Sequence, residues 1–378
     1  MSANSSSRLS VVFVVPYLEA AGTERHVLAL AHGFHGRFRL GLLSPPGPLL
    51  PDFVRLGVVH RAFPRFNGAL IQGIRAFRQG LRELIDELAP DVIHVHAGPE
   101  LTCLVRTITR SIPIVFTVHA FHGRHAEANY RLAARMARFA RVQRVVAVAN
   151  SEARLLQAGG LREPQLQVIY NGVPDHGQEQ PIHWRAELGW PAEAPVVGAV
   201  GRLERPKGFD VLLQAFARLN PTDYPWAPRL VIVGDGSERE ALQRQARELG
   251  LSDRVHFAGF RADSRRAFGG FDVTVIPSRQ DGLPLVCLEA MAAGCPVIAS
   301  DAGGLPEMVQ HGVTGFVVGA EDVDALAGAL AQLLQNPALA REMGRAGRAR
   351  FLEEFQAERM VERTEAIYRE AIAAKKKR

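Results

Sequence analysis

Two stretches of the chain hold side chains whose types and spacing suit chemistry on an anionic, hydroxyl-rich ligand. The first is Pro277-Ser-Arg-Gln-Asp-Gly-Leu-Pro-Leu-Val-Cys-Leu-Glu-Ala-Met-Ala-Ala-Gly-Cys-Pro-Val-Ile-Ala299, which reads as strand, loop, helix and strand. Pro284 suits the first turn of that helix, because its missing N–H has no intrahelical partner to lose. The amides of Leu285 and Val286 then point outward at the positive end of the helix dipole, a place for a phosphate. Glu289 follows one turn later among Val286, Leu288, Ala290 and Ala292, where a charge is expensive unless something satisfies it. A solvated helix face is the ordinary setting for a glutamate, and these neighbours argue against it. Asp281 precedes Glu289 by eight residues, roughly 12 Å if all were helical. Carboxyls of a retaining glycosidase stand about 5 Å apart, so a hydrolytic pair is disfavoured. Two separated carboxylates suit hydroxyls of two different sugars, such as a ribose and a transferred hexose.

The second stretch is Gly201-Arg-Leu-Glu-Arg-Pro-Lys-Gly208, a strand-to-helix loop at the carboxyl end of the apolar run 196–200, where ligands of open α/β sheets bind. Lys207 is the only lysine before the tail residues Lys375, Lys376 and Lys377. Where arginine is the default cation, a single lysine asks for a reason. An Arg202 fork with a Lys207 point charge can neutralise a diphosphate leaving group without a metal. A third glycine loop, Ala20-Ala-Gly-Thr-Glu-Arg-His26, opens a helix after the first apolar run. It is neither a GxGxxG fingerprint nor a Walker loop. His119 ends the run 114–118, whereas His94 and His96 lie on or just past the run 92–95. That His-x-His pair has no carboxylate cluster beside it and shares a face buried by helices, so no metal is expected there.

These residues need a frame to hold them. Short branched runs at 11–15, 40–43, 92–95, 114–118 and 145–148 alternate with helical stretches, and the rhythm repeats at 196–200, 230–233, 255–257, 273–276, 296–299 and 316–318. Both halves therefore read as α/β, doubly wound parallel sheets. The polar, breaker-rich segment 171–190 suits a linker. The expected domains are 1–180, 181–355, and a C-terminal helix with a basic tail at 356–378. The net charge of +6 comes from the first 180 residues, at +7 against −1 for the rest, which points to an anionic partner such as a membrane surface or a phosphorylated acceptor. Nucleic acid is not expected, because the basic residues are scattered without interleaved aromatics. Cys103, Cys287 and Cys295 sit in apolar stretches with no CxxC spacing, so neither a disulfide framework nor a zinc knuckle is available. No apolar run reaches the length of about 18 residues needed to span a bilayer. The apolar start is cut by Pro16 and Glu19 and reads as a buried strand, not a signal peptide. A cytoplasmic location is expected.

At these residues the chain resembles the retaining glycosyltransferases of family 4, the group 1 glycosyl transferases of GT-B architecture. The resemblance rests on the Gly201–Gly208 loop, the carboxylate-x7-Glu motif from Asp281 to Glu289, and Gly303-Gly-Leu-Pro-Glu307 with Gly312 and Gly315. Gly22-Thr-Glu-Arg-His-Val27, Val92-Ile-His-Val-His96 and Asn171-Gly-Val173 add weaker matches. It implies two Rossmann-like domains facing across a cleft, with the last helix returning to the first. It implies that Arg202 and Lys207 hold the donor diphosphate and Glu289 the ribose. Asp281, with the backbone of Gly282, Leu283, Pro284 and Leu285, would hold the donor sugar, Gly22 would line the phosphates and His119 would approach the reacting sugar. One departure stands out: the family usually has Glu where this chain has Asp281, and Phe-Gly where it has Leu283-Pro284.

The implied reaction moves a hexose from a nucleotide sugar, UDP-linked by default, to a hydroxyl of a glycan or lipid-linked acceptor such as lipopolysaccharide core or polysaccharide. The anomeric configuration is retained, and neither a cofactor nor a metal is needed. The Arg-rich stretch 130–144, with Met136 and Phe139 available to enter a headgroup layer, adds the expectation of a peripheral site on the inner face of the cytoplasmic membrane. An epimerase or a phosphorylase would share the two-domain fold. A nicotinamide oxidoreductase is disfavoured by the missing fingerprint, and a non-enzymatic nucleotide-sugar-binding protein would need neither Lys207 nor Glu289.

Overall fold

The structure is a computed structural model that describes residues 8–376 apart from Ala20, 67–69, His122, Arg124 and Gln178. Contacts divide the chain into two units, one running to Gly172 and resuming at Ala357, the other spanning Val173–Gln356.

The first unit holds a seven-stranded parallel sheet of β1 (Ser10–Val14), β2 (Arg39–Ser44), β3 (Val59–Ala62), β4 (Val92–His96), β5 (Ile114–Val118), β6 (Arg144–Ala147) and β7 (Leu166–Val168), in the order β3-β2-β1-β4-β5-β6-β7. The chain winds outward from β1 to β3, then crosses back to begin β4 on the other side of β1. The crossovers leave on opposite faces there, so a crevice opens at the carboxyl ends of β1 and β4. Side chains of β1 alternate between two cores. Val12 and Val14 pack with Phe77, Leu81 and Leu84 of the Leu70–Leu88 helix. Val11, Phe13 and Val15 pack with Val27, Leu30 and Phe34 of the Gly22–Phe34 helix and with Met360, Val361, Ile367 and Tyr368 of the Ala357–Lys376 helix. The last helix thus completes the core of the first unit, as expected. Lys375 donates to the Arg110 carbonyl at 2.8 Å, while Lys377 and Arg378 of the basic tail lie outside the described residues.

The second unit repeats the plan with six parallel strands: β8 (Val196–Val200), β9 (Arg229–Val233), β10 (Val255–Gly259), β11 (Val273–Ile276), β12 (Val297–Ser300) and β13 (Gly315–Val318), in the order β10-β9-β8-β11-β12-β13. Its switch point lies between β8 and β11, the two strands that deliver the Gly201–Gly208 and 277–284 loops.

All six strands of the second sheet match the apolar runs, but two strands of the first were not anticipated. β3 reads Val-His-Arg-Ala with no fully buried residue, and β7 is three residues long. Both are edge strands with one neighbour and one covered flank, so they need no continuous apolar run. No helix among the described residues is long and apolar enough to cross a membrane.

Candidate functional site

In the second unit the β8 and β11 loops are locked together by backbone. Gly208 has φ +69°, and a Cβ there would stand 2.0 Å from the Pro277 carbonyl oxygen, so only glycine lets the loops approach this closely. Gly303 does the same from the other side: at φ +57° its Cβ would fall 1.7 Å from the Asp281 carbonyl oxygen. The neighbouring Gly304 N–H donates to the Gly282 carbonyl at 2.7 Å. Arg279 is the brace between the loops. Its N–H donates to the Pro206 carbonyl at 2.8 Å, and its guanidinium forks onto Asp210 at 2.7 and 2.8 Å while also reaching the Arg205 carbonyl at 3.0 Å and Glu321 at 2.7 Å. The hydrogen bonds it donates to Asp210 outweigh burial and hold the Arg279 guanidinium above its ordinary value.

This frame brings Lys207, Asp281 and Ser278 together. Lys207 Nζ lies 2.6 Å from Asp281 Oδ2, and Ser278 Oγ donates to the same oxygen at 2.9 Å. The pair is well enclosed, with side chains 22% and 8% exposed, so a charge-assisted bond counts for more here than on an open surface. Arg202 shares the loop but not the cluster: its exposed guanidinium donates to Glu204 at 2.8 Å. Asp281 sits on the loop, not on the helix. Pro284 is the extended cap residue (φ −69°, ψ 126°), and the helix is Leu285–Ala292. The helical rise estimated between Asp281 and Glu289 therefore does not apply. Gly282, Leu283 and Pro284 are buried and Leu285 partly so. Glu289 is buried on a helix whose Cys287, Leu288, Ala290, Met291 and Ala292 are buried too, which is the apolar setting its sequence neighbours predicted.

In the first unit Gly22 is the exposed first residue of the Gly22–Phe34 helix, and the space where a Cβ would stand is open to 4 Å. Ala20 of the same loop lies outside the described residues. His119 follows β5 directly and is partly buried. The His-x-His reading is corrected in its detail. His94 and His96 do share a face, with ring centroids 3.9 Å apart, but His94 is taken up by Tyr368 Oη at 2.6 Å and Thr117 Oγ1 at 2.7 Å. His96 instead meets His119, Nδ1 to Nε2 at 3.4 Å, and His26, with ring centroids at 5.5 Å. Burial holds His94, His96 and His119 well below the ordinary imidazole value and lowers His26 to about 4, partly offset by its bond to Asn171. Sequence spacing could not find His26 or Arg279, because each meets its partners only through the fold.

Residues 20–176 match the family model for Glycosyltransferase Family 4, and residues 182–350 match Glycosyl transferases group 1. A lipopolysaccharide core biosynthesis glycosyltransferase of Rhizobium meliloti, LpsE, is 36% identical over 174 residues, 46% of this chain and 49% of that protein. The chain thus spans about half the length of that relative. D-inositol 3-phosphate glycosyltransferase 1 of Catenulispora acidiphila is 30% identical over 362 residues, covering 86% of this chain and 84% of its own. Among solved structures, Anabaena HepE in complex with UDP and glucose superposes with a TM-score of 0.81 at 23% identity, over 95% of this chain and 99% of that one, which shows the shared GT-B fold. With both doubly wound sheets and both halves of the sequence accounted for, the chain belongs to glycosyltransferase family 4 of the group 1 glycosyl transferases.

Proposed function

We propose that the chain transfers a hexose from a nucleotide sugar, UDP-linked by default, to an acceptor hydroxyl with retention at the anomeric carbon. The observation that supports this most is the enclosed Lys207–Asp281–Ser278 cluster at the switch point of the second sheet, set on loops that glycine backbones hold in register. In this reading Lys207 and Arg202 neutralise the diphosphate, Glu289 binds the ribose, and Asp281 steadies Lys207 through Oδ2 while offering Oδ1 to the donor sugar. The backbone from Gly282 to Leu285 lines the donor. By the family resemblance Gly22 serves the phosphates and His119 the transferred sugar. The bond from the anomeric carbon to the phosphate oxygen breaks as the bond to the acceptor oxygen forms on the same face, and the departing phosphate takes the acceptor proton. Preorganised cations and amides around the developing charge supply most of the acceleration, with no metal in the step.

The acceptor in this reading is a lipid-linked or cell-envelope glycan, reached from an anionic membrane surface on the cytoplasmic side. The Ala126–Phe139 helix supports it: Arg131, Arg135 and Arg138 are exposed, and so are Leu132 and Phe139, the latter 84%. Met136 is partly buried, so Leu132 replaces it as the apolar contact. LpsE, named for lipopolysaccharide core biosynthesis, makes the same acceptor class reasonable here.

Thermal-shift screening against a panel of nucleotide sugars tests the donor assignment. A ligand at about 100 times its Kd adds roughly 2.7 kcal/mol of stability, so the true donor raises Tm by several degrees. Its sugar should leave only when an acceptor is present, which separates transfer from epimerisation and phosphorolysis. A panel in which no nucleotide sugar moves Tm contradicts the proposal.

A further inference from the structure

Three imidazoles converge in the first unit from three separate elements: His26 from the Gly22–Phe34 helix, His96 from the end of β4 and His119 just past β5. One ring nitrogen of each lies within 4.8 Å of the others, and among the described residues no other group of three His, Cys, Asp or Glu side chains does so. His96 Nδ1 and His119 Nε2 stand 3.4 Å apart. That is long for a hydrogen bond, but two nitrogens bound to one tetrahedral zinc at about 2.05 Å stand about 3.3 Å apart. This pair already has chelating separation, and the His26 nitrogen lies within 4.8 Å of both.

The surroundings suit a metal more than a hydrogen-bonded core. His26 Nδ1 lies 2.9 Å from Asn171 Oδ1. An amide oxygen only accepts, so Nδ1 carries the proton and Nε2 keeps its lone pair, the arrangement that orients metal-bound imidazoles. His94, with both nitrogens bonded, lies against His96 and fixes the plane of its ring. His96 itself is fully buried, with its Nδ1 turned toward His119 Nε2.

We propose that His26, His96 and His119 form a binding site for one zinc-class transition ion, with a fourth position for water. Imidazole suits zinc, copper and nickel, whereas calcium and magnesium need oxygen donors that this set lacks. The ion has no part in transfer. By holding His119 it withdraws the nitrogen assigned to the donor sugar, so zinc acts as an inhibitor of an enzyme that needs no metal; this consequence alone rests on the proposed role of His119.

Cobalt and zinc titration of the chelator-stripped full chain tests the site. The expected result is one equivalent of cobalt giving the intense visible d–d absorption of a four-coordinate site, displaced by one equivalent of zinc. His26→Gln and His119→Gln should each weaken zinc binding tenfold or more, and the exposed control His183→Gln should leave it unchanged. Asn171→Ala keeps all three rings and should weaken binding about tenfold by loosening His26. Zinc binding that persists undiminished in the folded His26 and His119 variants, or a wild-type chain with no four-coordinate cobalt spectrum, overturns the site. Activity reports the consequence separately: zinc should inhibit and EDTA restore the full rate. Zinc that occupies the site without inhibiting overturns the role of His119 and leaves the site standing.

Discussion

Asp281 is bound twice through one oxygen, by Lys207 and by Ser278, and that sharpens what its removal should do. Glu289→Gln should weaken UDP and the intact nucleotide sugar alike, because ribose is common to both. A hydrogen bond to a charged group contributes about 1.5–3 kcal/mol, roughly tenfold to a hundredfold in Kd. Asp281→Asn should reduce binding of the intact donor by that amount and of UDP by less, since its second oxygen is assigned to the sugar. Calorimetric titration showing equal losses for both ligands in both variants contradicts this division. At this scale the sequence was informative where a residue type was out of place. A lysine in an arginine background and a glutamate inside an apolar helix both stood out, and both are enclosed in the structure. Arg279 and His26 were invisible because nothing local is unusual about them. The Lys207–Asp281 contact joins residues 74 positions apart, and no spacing rule reaches that far.

Among the elements, the central strands were legible because burial on both faces demands unbroken branched runs, and the edges β3 and β7 were not, because half-covered strands tolerate polar residues. The C-terminal helix was readable from its apolar positions, and its docking has a steric test. A Cβ on Gly33 would fall 2.4 and 2.8 Å from the Val361 methyl carbons, so Gly33→Ala should destabilise the chain by about 1–3 kcal/mol in spite of its better helix propensity. Val361→Ala should recover much of that loss in the double variant, seen as non-additive denaturation midpoints; strict additivity would mean the helices are not in contact there. The Ala126–Phe139 helix makes a second claim. Each basic residue near an anionic bilayer contributes about 1 kcal/mol, so on the proposed membrane docking Arg131, Arg135 and Arg138 would give a salt-reversible attraction with Phe139 as the apolar anchor. Liposome flotation should require anionic lipid and fail when the three arginines become Glu. If that variant still floats while removal of 375–378 abolishes binding, the tail is the anchor and the helix assignment is wrong.

For the whole molecule, the same winding occurs twice, and each sheet places its loops at one switch point. The sequence placed each loop at the end of an apolar run, whereas the neighbouring positions of β8 and β11 emerge only from the sheet order. Which chemistry they carry was legible only in part, because glycine contacts such as Gly208 against Pro277 and Gly303 against Asp281 set the distances, and sequence shows the glycine without its neighbour. Whether Lys207 holds the diphosphate of a nucleotide-sugar donor is decided by steady-state turnover of Lys207→Ala with the donor found by thermal shift. Turnover should fall by two to three orders of magnitude, about 2.7–4 kcal/mol, with Lys207→Arg also impaired and the melting curve of the free protein largely kept. Near-normal turnover in a folded Lys207→Ala chain would contradict that role.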